Sequence, residues 1–272
     1  MEVRNHKLVG DDAITFVDTP NIGPGRLDPQ YIVMHYTAGR SVASSVAWLA
    51  DPAARASAHV VIGRAGEIVQ LASFNKVAWH AGASRWRGVT GLNKYSIGIE
   101  LDNAGVLERK GGRLQAWFGG DYSDSEAMSA IHQHEDRERF WHTFTELQIE
   151  VATRVVSIIA DHYNISEVIG HDDISPGRKL DPGPAFPMKS FRSIAMGRRE
   201  NDFEIFEAIT QLNIRTGPGI AFEKLDRSPL PKGTRMKVLA SEASWCAVEV
   251  PNVDNDPDIV GWVHGDFIRL SR

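Results

Sequence analysis

Two histidines, an aspartate, a glutamate and a lysine stand where short apolar runs of this 272-residue chain give way to turn residues. In VIGHDDISPGRKLDPGPAF, Val168 to Phe186, His171 and Asp181 lie ten positions apart and Lys179 falls two before the acid. A neutral imidazole and a carboxylate are donors for a metal ion. Side chains alternate along an extended segment, so Lys179 and Asp181 project to one face. Pro182 biases Asp181 toward the extended backbone this requires. A zinc site built for catalysis takes three protein ligands and leaves the fourth position to water. The best third donor is His35, in YIVMHYTAG, where a β-type run ends in a Thr-Ala-Gly turn. Glu100, in SIGIELDN, places a carboxylate in an apolar run, where it is costly unless hydrogen-bonded or functional. Taken singly, a histidine is an ordinary satisfied side chain and an Asp before Pro an ordinary turn residue. Together they offer His35, His171 and Asp181 for a metal, and Glu100 and Lys179 for the chemistry.

The elements that must hold these groups are legible around them. Tyr31 to His35 and Ser96 to Leu101 read as strands buried on both faces by their continuous apolar character. Ser41 to Ala50 has helical periodicity, stopped by Asp51-Pro52. AHVVI and EIVQL, with a turn at Gly63 to Gly66, predict a hairpin. His59 at its start is given a structural role. Thr145 to Tyr163 is the strongest helix, with a stripe through Leu147, Val151, Val155, Ile158, Ile159 and His162 and a capping-box pattern at Thr145 and Gln148. Phe186 to Arg199 is a further helix. Residues 1 to 27 read as an irregular arm with His6 exposed.

The blocks IVMHYTAG, RASAHVVIGRAGEIVQ, AWHAG, NKYSIGIELDN and GHDDISPGRKLDPGPAF, in that order, resemble the type 2 zinc-dependent N-acetylmuramoyl-L-alanine amidases, over about residues 28 to 197. That family shares its fold with phage lysozymes and peptidoglycan recognition proteins, and the cytosolic anhydro-muropeptide amidases look most similar. The resemblance implies an α/β domain with a central mixed β-sheet flanked by helices. It also implies one Zn²⁺ held by His35, His171 and Asp181, Glu100 as general base and Lys179 as the charge opposite the oxyanion. Arg55 matches an arginine that holds a carboxylate of the stem peptide, and His80 and Asn93 match substrate-contacting positions. The implied partner is peptidoglycan or its muropeptide fragments. The chain departs from the compact relatives at residues 104 to 142, a polar connection with little sustained periodicity. It predicts a small hairpin around Arg113 to Phe118 and a rim or lid beside the groove. Within it HQHEDRER reads as a solvated charged face rather than a second metal site, with His142 near enough to reach substrate.

Composition is that of an ordinary soluble protein, with a net charge of −5 that argues against nucleic acid and no apolar run long enough for membrane insertion. The one cysteine, Cys246, excludes an internal disulfide and reads as a small buried hydrophobe. MEVRNHKLVGDDAITF lacks the apolar core of a signal peptide, so the expectation is a chain cytoplasmic as synthesised. Phage-type lysis or signal-independent export are alternative routes to the wall. The amidase domain is expected over residues 1 to 200. After GRREND, residues 203 to 272 alternate β-type runs with Gly/Pro turns, and LNIRTGPG, PKGTRMKVLA and GWVHGDFI resemble a bacterial SH3-like barrel. Trp245, Trp262 and Phe267 are either its core or a binding platform. The rival to hydrolysis is a non-catalytic peptidoglycan-recognition protein on the same fold. A stem-cutting peptidase is disfavoured by the absence of an HExxH helix.

Overall fold

A computed structural model of the chain describes residues 1–11, 13–196, 205–242, 244–250 and 259–271. The chain divides into two compact units, Met1–Gly197 and Arg198–Arg272. The linker GRREND and the last turn of the helix expected to reach Arg199 lie outside the described residues.

The first unit is built on a mixed six-stranded sheet in the spatial order Glu167–Gly170, Tyr31–Tyr36, Ser96–Leu101, Val60–Ile62, Ile68–Gln70, Ile14–Phe16. The first four strands run parallel to one another. Val60–Ile62 and Ile68–Gln70 form the antiparallel hairpin expected at that point. Both faces of this sheet are covered, which is why its central strands are unbroken apolar runs. Alternate residues serve opposite faces: Val60 and Ile62 join the main core, and Val61 packs with Val46 and Leu49 of the helix Val42–Ala50.

The helix Glu146–Tyr163 closes the main core. It buries Val151, Ala152, Val155, Val156, Ile159 and Ala160, whereas Leu147 is 47% exposed. The stripe is therefore turned from the expected one toward positions filled by small residues. Thr145 Oγ1 accepts from the Gln148 N–H (3.1 Å), but the Gln148 side chain donates to the Ile62 and Asp102 carbonyls (3.0 and 3.1 Å) and leaves half of the capping box unmade. The helix Met188–Ala195 packs Phe191 and Ala195 on the same core.

Two stretches are more ordered than the sequence suggests. The N-terminal arm forms the hairpin Glu2–Arg4 with Lys7–Val9 and supplies the edge strand Ile14–Phe16. His6 is half-buried, its Nδ1 2.6 Å from the Tyr163 hydroxyl, rather than exposed. Residues 104–142 form a five-stranded antiparallel sheet, ordered Asp121–Tyr122, Arg113–Ala116, Val106–Lys110, Glu138–His142, Ala127–Ile131, in place of one hairpin in a long connection. Its small core holds Ala104, Leu107, Leu114 and Ala116, with Phe140 against them. Strands of two to five residues that bury so few side chains leave no period long enough to read.

The second unit carries a five-stranded antiparallel sheet, ordered Ile259–His264, Trp245–Val250, Arg235–Glu242, Ile205–Ala208, Ile268–Leu270. Its core is aliphatic, with Leu212, Ile214, Leu230, Met236, Val248 and Val263, and Cys246 lies partly buried against it. Trp245, Trp262 and Phe267 stay outside that core, and Phe267 is 44% exposed.

Candidate metal and catalytic site

Parallel pairing assembles the site. Glu100 is the register partner of His35, so the two side chains leave the same face of neighbouring strands near their C-terminal ends. Gly170 pairs with Met34, which brings the next residue, His171, level with His35 as the chain turns into the short helix His171–Ile174. Asp181 returns beside them, where its carbonyl accepts from the Asp172 N–H (2.8 Å).

His35 Nδ1 lies 2.9 Å from both His171 Nδ1 and Asp181 Oδ2, and His171 Nδ1 lies 2.8 Å from the same carboxylate oxygen. The far side of each ring carries partners that suit one tautomer, although Arg178 Nη2 also lies 3.3 Å from His171 Nε2. His80 Nε2 faces the Ser96 carbonyl (3.2 Å) and must donate to it, so His80 Nδ1 accepts from His35 Nε2–H (3.0 Å). His171 Nε2 donates to the Ala81 carbonyl (3.2 Å). Both Nδ1 atoms are left as lone pairs pointing at each other and at a carboxylate. Converging acceptors with no proton among them are the donor set of a divalent cation, with the outer hydrogen bonds orienting each ring. Among the described residues these three side chains are the only such cluster.

Electrostatics agree with that assignment. Burial, with His171 adding to it, pushes His35 down to about 4, and burial holds His80 well below its ordinary value. Burial works against the ionised Asp181, but hydrogen bonds from the His171 and His35 rings, in the tautomer that a cation would displace, outweigh it and keep this carboxyl well below the usual range, ionised as a ligand must be. Burial pushes Glu100 up to about 8, with the Asp181 charge adding and Lys179 opposing. Glu100 Oε2 is buried and has no hydrogen-bond partner among the described residues. Glu100, Lys179 and the three metal donors line one cavity of about 380 Å³, with Trp48, Trp79 and Tyr36 around it.

The other candidates fall around this centre. His80 lies behind His35, with both ring nitrogens engaged. Its ring rests on Gly98, where an added Cβ would come within 2.3 Å of His80 Cγ. Asn93 Oδ1 accepts from the His80 and Ala81 N–H groups (3.1 and 2.7 Å) and so holds the loop that carries His80. Arg55 is exposed, in left-handed backbone (φ 48°), just before the cavity-lining Ala56 and Ser57. His59 is structural, joining the Gly98 N–H (3.0 Å) to the Lys76 carbonyl (2.9 Å).

Several supporting residues carry no motif. Arg178, beside Lys179, donates to the Ala81 and Ala83 carbonyls (2.9 Å each) and to Ser175 Oγ (2.6 Å). The start of HQHEDRER is a clasp rather than a solvated face. His132, 1% exposed, sets Nε2 3.0 Å from Asp172 Oδ2. Gln133 donates to Asp173 Oδ1 (3.1 Å), and His134 Nε2 meets the Asp172 carbonyl (3.1 Å). Trp141 stacks on His132 and closes over Gly183, where a Cβ would lie 2.9 Å from Trp141 Cζ3. His142 is buried, accepting from the Ala104 N–H (3.1 Å), and lies outside the cavity lining, so it does not reach the position expected of it. Only the pairing of the two sheets could have shown this clasp.

The description "N-acetylmuramoyl-L-alanine amidase" belongs to a family whose profile matches residues 25–184, a stretch holding all five candidate residues. The chain belongs to this amidase family. It is 36% identical over 141 residues to the 1,6-anhydro-N-acetylmuramyl-L-alanine amidase AmpD of Salmonella typhimurium, covering 52% of this chain and 57% of that one. It is 32% identical over 175 residues to the N-acetylmuramoyl-L-alanine amidase AmiD of Escherichia coli, covering 61% and 53%. The chain thus spans about half the length of the curated relatives it matches. A crystal structure of a selenomethionine AmpD derivative aligns with a TM-score of 0.49 and 26% identity, covering 71% of this chain and 99% of that one. In this amidase-family chain the five-stranded sheet of residues 104–142 lies within the matched stretch, and the second unit follows it.

Proposed function

We propose that this chain is a zinc-dependent hydrolase of the amide between the lactyl group of N-acetylmuramic acid and L-alanine, in peptidoglycan or its muropeptide fragments. The observation that carries the reading is the convergence of three metal-donor side chains with a buried, unpartnered Glu100 oxygen and Lys179 in one cavity. A pure recognition site has no use for a carboxylate left without a partner, because its desolvation is unfavourable unless the group acts.

His35, His171 and Asp181 would hold the zinc ion, which when bound would supply Lewis-acid polarisation of a water and of the scissile carbonyl. Glu100 takes a proton from the attacking water and passes it to the departing L-alanine nitrogen. Its buried setting favours the protonated form it must hold between those steps. Lys179 places its ammonium where negative charge develops on the carbonyl oxygen. Arg55 meets a stem-peptide carboxylate through its guanidinium fork, and the loop with His80 and Asn93 shapes the substrate side of the cavity. The all-β second unit, with Trp245 and Phe267 packed on His264 and left outside its core, supports its reading as a bacterial SH3-type module. No helix among the described residues is long and apolar enough to cross a membrane.

The deciding experiment is mass spectrometry of products after zinc-loaded protein meets purified peptidoglycan and, separately, a soluble anhydro-muropeptide. Stem peptide released with a free L-alanine amine is expected. Retained binding without cleavage of either substrate turns the reading to a recognition protein.

A further inference from the structure

We infer that Trp117, at the tip of the inserted sheet, is a saccharide-stacking subsite that extends the catalytic groove to a continuing glycan strand. The inference rests on the amidase reading above and names the substrate form that the site prefers.

Trp117 is 77% exposed, an unusual state for an indole, yet its position is fixed. Its Nε1–H donates to the Ala38 carbonyl (2.8 Å), and its ring meets the Phe118 ring edge-on, centroids 5.7 Å apart. Arg40 pins the same tip from the other chain segment, donating to the Phe118 carbonyl (3.1 Å) with its guanidinium over the Phe118 ring. Glycines at positive φ, Gly119 and Gly120, let the chain reverse immediately behind the two aromatics. The outcome is an open ring held in one orientation, so little freedom remains to be lost when a ligand covers it.

Its place tells what the ligand is. Ala38, which anchors the indole, lines the catalytic cavity together with Thr37 and Glu100. Trp117 thus stands one hydrogen bond outside the cavity wall, and two more open indoles, Trp48 (58% exposed) and Trp79 (36%), line the cavity itself. A pyranose offers a face of C–H groups that packs on an indole face, while its hydroxyls stay in water. The cavity measures about 380 Å³, and Trp117 is not among its lining residues. Only a strand that continues past the reacting muramic acid brings another sugar to a ring outside the wall.

The test compares kcat/KM on polymeric peptidoglycan with kcat/KM on a soluble anhydro-muropeptide, in wild type, Trp117→Ala and Trp117→Phe full-length proteins. The ratio of polymer to fragment is expected to fall about tenfold in Trp117→Ala, through KM, and to stay within about twofold of wild type in Trp117→Phe, which keeps a stacking face without the bond to Ala38. An unchanged ratio in Trp117→Ala, or equal losses in both variants, overturns the inference. Co-sedimentation with insoluble peptidoglycan in a Glu100→Gln background, with and without Trp117→Ala, reads binding independently of turnover. Weaker sedimentation of the double variant is expected, and equal sedimentation overturns the subsite. Should wild type cleave neither substrate, the hydrolase reading falls, and sedimentation alone judges Trp117.

Discussion

The two sheets of the first unit reach the same site by different means. The six-stranded sheet is buried on both faces and presents His35 and Glu100 directly, with His80 and Ser96 behind them setting which nitrogen of His35 faces the metal position. The inserted sheet presents no donor atom. It grips the segment between His171 and Asp181 from outside through His132, Gln133 and His134 on Asp172 and Asp173. The first sheet determines the chemistry of the donors, and the second determines how firmly their segment is held.

Removing the chemistry itself has the largest effect. Glu100→Gln should lower kcat by about 10²–10⁴-fold with metal content unchanged by elemental analysis, because only proton transfer is lost. Lys179→Ala should cost about 10²–10³-fold, again with metal retained. Loss of metal in either variant would break the division between donors and acting groups.

Next come the two outer histidines, which test the comparison directly. His80→Ala and His132→Ala should each weaken zinc binding by about 10- to 100-fold in chelator competition. Only His80→Ala should alter the visible spectrum of the cobalt-substituted protein, because it frees a ligand ring to change tautomer, whereas His132→Ala leaves each ring's partner in place. Wild-type affinity in His132→Ala would make the inserted sheet a passive rim.

The last contrast is in acid. Burial pushes His59, in the central sheet, and His142, in the inserted one, down to about 4. The unfolded chain protonates these rings near 6.5. Their stabilisation is therefore complete above pH 6.5 and is lost as pH falls toward 4, each contributing up to about 1.4 kcal/mol per pH unit. Thermal melts of metal-free protein from pH 7 to 4 should show Tm falling across that window. His142→Asn should flatten the fall, and an unaltered slope would show that the inserted sheet opens independently of the rest.

The same contrast explains what the sequence reveals. Tyr31–Tyr36, Ser96–Leu101 and the helix Glu146–Tyr163 stand within a residue of their expected bounds, since strands covered on both faces and a long amphipathic helix leave continuous patterns. The candidate donors His35 and His171 stand out in the sequence because each lies where a buried strand ends, whereas Asp181 stands out only by its spacing from His171 and the proline after it. The inserted sheet does not stand out, because its strands are short and its clasp depends on partners forty positions away. His80 was legible as a residue near the site, but its bond to His35 appears only once the strand register places Gly98 beneath it.

Gly98 has one more consequence. It lies two residues before Glu100 on the same strand, and the missing side chain there is the slot in which the His80 ring lies. Anyone transplanting this centre onto another parallel sheet would have to copy that gap along with the donors. A scaffold with alanine at the position could carry all five candidate residues and still aim His35 the wrong way.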